Sequence, residues 1–253
     1  PMDFEEFLWA TGTPDNIIAE IAPCKETHTP VPDVPHAVMR EKLLTYAVVG
    51  GMPAVVKEFV RNKQLSTVLS MQRDILNGYR DDMVKYAAKE DKGKIRGCFD
   101  SIPRQLAKEN KKFQYTLIKK KAAAVQYAGS IQWIEDAGII RRCHNTSITE
   151  LPLDGNAIDE YLVADILGKM GRRLYYFRKE SGLEVDFLMR YRGECVLLEC
   201  KAKTGDTKSA RTILNHPEKY HVRHLIKLGD YNVGQTATVT TLPLYMAFLL
   251  TEQ

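Results

Sequence analysis

Apolar and charged residues alternate along Glu184-Val185-Asp186-Phe187-Leu188-Met189-Arg190 and, less strictly, along Glu194-Cys195-Val196-Leu197-Leu198-Glu199-Cys200-Lys201. A period of two is that of a half-buried strand, and Tyr191-Arg192-Gly193 between the runs suits a hairpin turn. With the turn centred between Arg192 and Gly193, Asp186 falls opposite Glu199 and Glu184 opposite Lys201. Residues two apart share a face. Glu184, Asp186, Glu199 and Lys201 are therefore expected to form one charged patch. Val185, Phe187, Met189, Val196, Leu198 and Cys200 are expected on the other face, in a core; a slip of one residue would invert the pattern.

Upstream the apolar period lengthens to that of helices. Short amphipathic helices are predicted over residues 2–11 and from Asp15 to Ile21. The four prolines between Pro23 and Pro35 predict a loop or linker. His36 to Val49 is helical by period, Gly50-Gly51-Met52-Pro53 breaks it, and Pro53 suits the first turn of the next helix, to about Arg61. Leu65 to Ala88 forms one long helical pattern, and Lys94 to Asn110 another with a bend expected at Pro103. Ala122 to Ala137 is an alanine-rich helix that stops at Gly138, before a short apolar strand and Arg141-Arg142. Downstream, Asn156 is placed to cap a helix from Ala157 to about Met170. Strands are expected at Arg173–Arg178, Val222–Leu228 and Ala237–Thr241, with helices at Thr207–Leu214 and Leu244–Leu250. The pattern is α+β: an all-helical first half, then an α/β half, divided in the proline-containing connection Thr149–Asp154.

Composition narrows the class. The 253 residues suffice for one large or two ordinary domains, and 44% hydrophobic content permits real cores. Five scattered cysteines with no Cys-x-x-Cys pair read as reduced and cytoplasmic rather than as a disulfide framework. No apolar run approaches a membrane span and no signal peptide is present. The chain begins at Pro1, so a fragment or a trimmed chain is expected. Gly205-Asp206-Thr207-Lys208-Ser209 lacks the first glycine and the spacing of a phosphate-binding loop. Nothing in the pattern fixes an oligomeric state.

A net charge of +4 is only mildly basic, but its distribution is uneven. Residues 103–121 hold Arg104, Lys108, Lys111, Lys112, Lys119, Lys120 and Lys121 against a single acid, Glu109, with Phe113 and Tyr115 interleaved. A helix, a glycine stop and a short strand leading into Arg141 and Arg142 resemble the last helix and wing of a winged helix-turn-helix. Such modules set basic residues on phosphates. Lys111, Lys112, Lys119, Lys120, Lys121, Arg141 and Arg142 are the candidate nucleic-acid contacts. The competing expectation is a solvated basic face and a docking module between domains.

Two facing carboxylates beside a lysine repel unless something neutralises them. A divalent cation does so, and magnesium takes one or two carboxylates plus waters and phosphates. Asp186 with Glu199-Cys200-Lys201 resembles the Asp, Glu-x-Lys motif of the PD-(D/E)XK nuclease-like fold, whose core order is helix, three strands, helix, strand. In that fold the first helix supplies an acid, and Glu160 fits. The expected catalytic set is Asp186, Glu199, Lys201 and Glu160, with Asp186, Glu199 and Glu160 on Mg2+ or Mn2+. A cross-strand salt-bridge network on a solvated face is the alternative. His221 and His224 have metal-compatible spacing but read as surface histidines.

Several separated motifs carry a wider resemblance. They are Pro1-Met2-Asp3-Phe4-Glu5-Glu6-Phe7-Leu8, Gly50-Gly51-Met52-Pro53, Tyr79-Arg80-Asp81-Asp82-Met83, Ile102-Pro103-Arg104-Gln105-Leu106, Asn110-Lys111-Lys112-Phe113 and the hairpin. Together they resemble a family of predicted prokaryotic AAA+ ATPases with an amino-terminal P-loop domain, a helical and winged-helix middle and a nuclease-like carboxy-terminal domain of unknown function. The resemblance implies that residues 1–35 end the ATPase region and link it onward, 36–150 form the helical and winged-helix domain, and 151–253 the nuclease-like domain. ATP would belong only to the absent domain. The family's further strand-and-helix segment before the helix of Glu160 has no counterpart at Thr149–Asp154. Two functions are implied: a DNA-associated part of an ATPase with a magnesium-dependent nuclease-like site, or a non-catalytic module coupling the ATPase to a protein partner.

Overall fold

The computed structural model describes residues 1–106, 113–146, 174–179, 181–201 and 207–251. The helices of the first half are α1 (Phe4–Ala10), α2 (Asp15–Thr27), α3 (Asp33–Val49), α4 (Pro53–Asn62), α5 (Leu65–Tyr86), α6 (Lys92–Leu106) and α7 (Ala124–Asp136). The strands are β1 (Cys143–Thr146), β2 (Leu174–Arg178), β3 (Glu184–Tyr191), β4 (Glu194–Lys201), β5 (Leu225–Gly229), β6 (Gly234–Gln235) and β7 (Val239–Pro243). Short helices α8 (Lys208–Leu214) and α9 (Pro217–Tyr220) precede β5, and a 3-10 helix, Leu244–Leu249, closes the described chain. The protein is thus α+β, a helical first half followed by a mixed sheet with helices.

The seven strands form one sheet in the order β1-β2-β3-β4-β5-β7-β6. β2, β3 and β4 are antiparallel neighbours, whereas β4/β5 and β5/β7 are parallel. In β3/β4 the pairing runs from Tyr191↔Glu194 to Phe187↔Leu198. That is the register expected from a turn centred between Arg192 and Gly193, which take positive φ of 53° and 81°.

Both faces of the sheet are buried. Phe187, Met189, Val196, Leu198, Ile226, Leu228 and Leu242 pack with Phe4, Phe7, Leu8, Ile21, Met39 and Tyr46 from the first helices. On the other face Val185, Leu188, Cys195, Leu197 and Leu225 meet Ala210 and Ile213 of α8 and Tyr220 of α9. Val185 departs from the expected face. The β2/β3 register slips by one between Tyr175 and Phe177, which turns Val185 away from Phe187 and into the core with Leu188. The middle of the sheet is largely apolar, as a sheet covered on both faces requires, with Lys227 midway along β5 a charged exception.

A third core joins Met83, Ile95, Cys98, Phe99, Tyr127, Ile131 and Ile134 of α5, α6 and α7. The 22-residue α5 is the strut between cores: Val68 lies in the core against the sheet and Met83 in the helical one. At a rise of 1.5 Å per residue the two are roughly 22 Å apart along the axis.

Three sequence expectations fail locally. The segment from Pro23 to Pro35 is not a loop: α2 runs through Pro23 to Thr27, and α3 starts at Asp33. The apolar stripe Ile17, Ile18, Ile21 and Cys24, all in or against the sheet core, continues past Pro23 and outweighs the lost helix bond. Pro35 falls in the first turn of α3, where the missing N–H had no intrahelical partner. The strand after α7 begins at Cys143, not at Ile139. It pairs parallel to β2 as part of the main sheet, rather than as a wing against α7.

Candidate functional site

The carboxyl ends of the parallel strands β4 and β5 lie together with the start of β3, and the sequence places its charges there. In open sheets with parallel strands, ligand sites sit beyond such strand ends. Lys201 Nζ stands 3.8 Å from Asp186 Oδ2 and 3.8 Å from Glu199 Oε2. The three side chains are 28%, 19% and 4% exposed, so the cluster is half sunk into the sheet edge.

Local structure fixes each member. The β3/β4 ladder ends at Phe187↔Leu198, and the Cys200 N–H then donates to Asp186 Oδ2 at 2.7 Å. The Asp186 side chain thus replaces a main-chain acceptor and is tied to β4. Glu199 stands on the last turn of the pleat before Lys201, level with Lys227 of β5 in the parallel register. Cys200, between the two motif residues, packs against the core on the opposite face, as its parity predicts.

Glu184 does not join the patch as expected. It is exposed, pairs across the ladder with Arg178 of β2, and faces that guanidinium at 3.8 Å, while its N–H donates to Ser209 Oγ at 3.2 Å. The slip that turned Val185 also carries Glu184 towards β2. Lys201 is consequently left to the two carboxylates of the motif.

The structure adds residues that the sequence did not single out. Lys201 is level with Gly229, and Glu199 with Lys227, which is in turn level with Thr241 of β7. A Cβ at Gly229 would lie 2.3 Å from the Lys201 carbonyl oxygen and 2.5 and 2.7 Å from Cε1 and Cζ of Tyr231. Tyr231 therefore packs on the bare backbone of Gly229, with Lys227 Nζ 5.7 Å from its ring centre. Burial, and then the neighbouring Cys200 and Glu199, push the Tyr231 phenol well above its usual pKa. A lysine and a glycine inside Leu-Ile-Lys-Leu-Gly were the only sequence signals. Neither points at Glu199 without the β4/β5 register.

The donor set suits a hard divalent cation: two carboxylates on adjacent strands beside a lysine. Among the described residues no group of three His, Cys, Asp or Glu is arranged to hold a metal. Glu160, the expected third ligand, lies outside the described residues. His221 is exposed in a left-handed turn after α9. His224 is half-buried, with Nε2 2.8 Å from Thr240 Oγ1, so the pair does not form a metal site.

Of the expected nucleic-acid contacts, Lys111 and Lys112 lie outside the described residues. Lys119, Lys120 and Lys121 are exposed in the turn between Tyr115–Leu117 and α7. Arg141 is exposed as well. Arg142 is engaged on α7: its guanidinium meets the Glu135 carboxylate and the Gln132 side-chain oxygen, which locks the chain after the helix stop.

The fold and this cluster define an α+β protein with paired carboxylates and a lysine at the edge of a mixed sheet. Two family models match it. Residues 40–161 match one described as a domain of unknown function, DUF8612, and residues 154–246 match another so described, DUF4143. The two matches overlap over residues 154–161. No curated protein and no solved structure matches the chain. Among the described residues no helix is long and apolar enough to cross a membrane.

Proposed function

We propose that this chain is the DNA-associated carboxy-terminal part of an AAA+ ATPase and carries a PD-(D/E)XK nuclease-like site for Mg2+ or Mn2+. One observation carries the reading: Lys201 Nζ is equidistant from Asp186 and Glu199 at the carboxyl end of β4. The chain order supports it, since three antiparallel strands β2, β3 and β4 are followed by α8 and then by β5 parallel to β4. The DUF4143 match over 154–246 agrees with an origin in an ATPase-associated protein.

In this reading Asp186 and Glu199, with Glu160, would hold the cation. A bound magnesium or manganese would polarise a phosphate and lower the pKa of its water. Lys201 orients that water or the phosphate and offsets the charge that develops on it. Cys200 N–H keeps Asp186 aimed. Release of Glu184 to Arg178 removes a competitor for Lys201. The exposed Lys119, Lys120, Lys121 and Arg141, with Lys111 and Lys112, track the phosphate backbone, while Arg142 stays on Glu135 and Gln132.

Incubation of linear, branched and single-stranded DNA with magnesium or manganese tests the chemistry. Cleavage is expected in the parent and lost in both Asp186→Ala and Lys201→Ala. Intact DNA in the parent, or cleavage surviving in either variant, refutes it. A second reading, a non-catalytic module for a protein partner, is favoured by one feature. Leu44 and Val48 of α3 and Leu69 and Leu76 of α5 are exposed at 68, 46, 51 and 45%. Gln72 between the two leucines donates to the Val48 and Val49 carbonyls, which brings these apolar faces side by side.

A further inference from the structure

We propose that Tyr231 is a positioning residue of the Asp186–Glu199–Lys201 site, its hydroxyl donating to an oxygen of a phosphate-type ligand held there. The proposal rests on the carboxylate-site reading above and names the ligand chemistry and a residue that the motif does not contain.

Three observations converge. First, Gly229 leaves β5 without a side chain level with Lys201, and the Tyr231 ring occupies that room. Any larger residue would clash with both Lys201 and the ring, so the phenol is held against the strand end by the backbone itself. Second, Lys227 lies along the same edge, its Nζ 5.7 Å from the ring centre and its Cα level with Glu199. The edge thus sets Lys201 beside the two carboxylates, with the phenol and Lys227 on the neighbouring strand end. Third, the Tyr231 hydroxyl is buried and has no hydrogen-bond partner among the described residues.

A buried hydroxyl without a partner is destabilising, and such groups in folded proteins are usually satisfied by something. A tyrosine hydroxyl carries its proton at ordinary pH and can donate. It is therefore a permanent O–H donor next to anions. A donor is of use at such an edge only to an oxygen-rich ligand. With a cation on the carboxylates, a phosphate oxygen beside Lys201 would accept from this hydroxyl.

Tyr231→Phe removes the hydroxyl and keeps the ring. Melting in EDTA is measured first, then manganese-induced melting shifts. Binding of a dinucleoside phosphodiester and of inorganic phosphate in manganese follows, by calorimetry. A ligand this short carries a single phosphodiester, so it reports on one phosphate site rather than on an extended backbone track. The variant is expected to melt at or above the parent temperature in EDTA, because an unsatisfied polar atom has gone. It should bind the dinucleotide about five- to tenfold more weakly, the loss of one hydrogen bond. An equal loss for inorganic phosphate assigns the contact to any phosphate oxygen, and a loss for the dinucleotide alone assigns it to a phosphodiester. A variant that melts lower than the parent, or that binds both ligands as the parent does, overturns the proposal. If Asp186→Ala abolishes the manganese shift while Tyr231→Phe binds as the parent, the carboxylate site stands and only the tyrosine falls. A parent with no Asp186-dependent shift removes both.

Discussion

Replacing Gly229 by alanine tests whether the edge of the sheet is built as tightly as its geometry states. The new Cβ would stand 2.3 Å from the Lys201 carbonyl oxygen, whereas ordinary contact begins at 3.4 Å, so β4 and β5 must part by about 1 Å or the residue must twist. Two further contacts, at 2.5 and 2.7 Å, involve the Tyr231 ring, which cannot swing towards the strand either. Gly229 has no positive φ, so alanine meets no backbone penalty and gains roughly 0.4–1 kcal/mol through the unfolded chain. Overpacking typically costs about 1–3 kcal/mol. The net is a loss of roughly 1–2 kcal/mol, or a fall in Tm of about 2–8 °C for a chain of this size. Urea unfolding gives the first quantity and a thermal melt the second. The displaced strand ends should also shrink the manganese shift. Gly78 is the control: it lies exposed in α5 with nothing within 4 Å of its Cβ, and Gly78→Ala should stabilise by about 0.5–1 kcal/mol. Unchanged stability and an unchanged manganese shift in Gly229→Ala would refute the picture of a site packed on bare backbone.

Changing Lys119, Lys120 and Lys121 together to alanine should weaken binding to any duplex and flatten the slope of log affinity against log salt by roughly 2–3, since each lost phosphate contact removes about 0.9. A parent that binds no duplex at low salt would instead favour the protein partner. Stability should fall as the pH drops below the usual histidine range. Burial lowers the pKa of His36, whose Nδ1 lies 2.7 Å from the Tyr245 hydroxyl, and burial with His28 near by lowers that of His224. The unfolded chain binds those protons first, so the contribution is complete above about pH 6.5 and is lost through the depressed folded values. Urea midpoints between pH 8 and 5 check this, and His224→Gln should flatten the acid limb without altering the alkaline one; an unaltered acid limb would count against it.

The hairpin was legible in the sequence. Its register follows from a period of two on either side of Arg192-Gly193, and the pairing from Tyr191↔Glu194 to Phe187↔Leu198 obeys it. The long helix α5, the stop after α7 and the short strand β2 were equally readable, because each rests on contacts within a few residues. The convergence of Asp186, Glu199 and Lys201 was therefore a local matter. What local pattern could not supply was everything across the chain. β5 lies beside β4 in parallel, about 30 residues away in sequence, and nothing in Leu-Ile-Lys-Leu-Gly announces its neighbour. Lys227, Gly229 and Tyr231 enter the site only through that pairing. Pro23 was read as a breaker, yet the stripe of Ile17, Ile18, Ile21 and Cys24 finds the sheet and carries α2 past it. Val185 and Glu184 follow a one-residue slip against β2, which alternation within β3 alone does not encode. Periodicity declares which residues seek burial; which surfaces bury them, and which strand ends meet, is decided by the packing of the whole sheet.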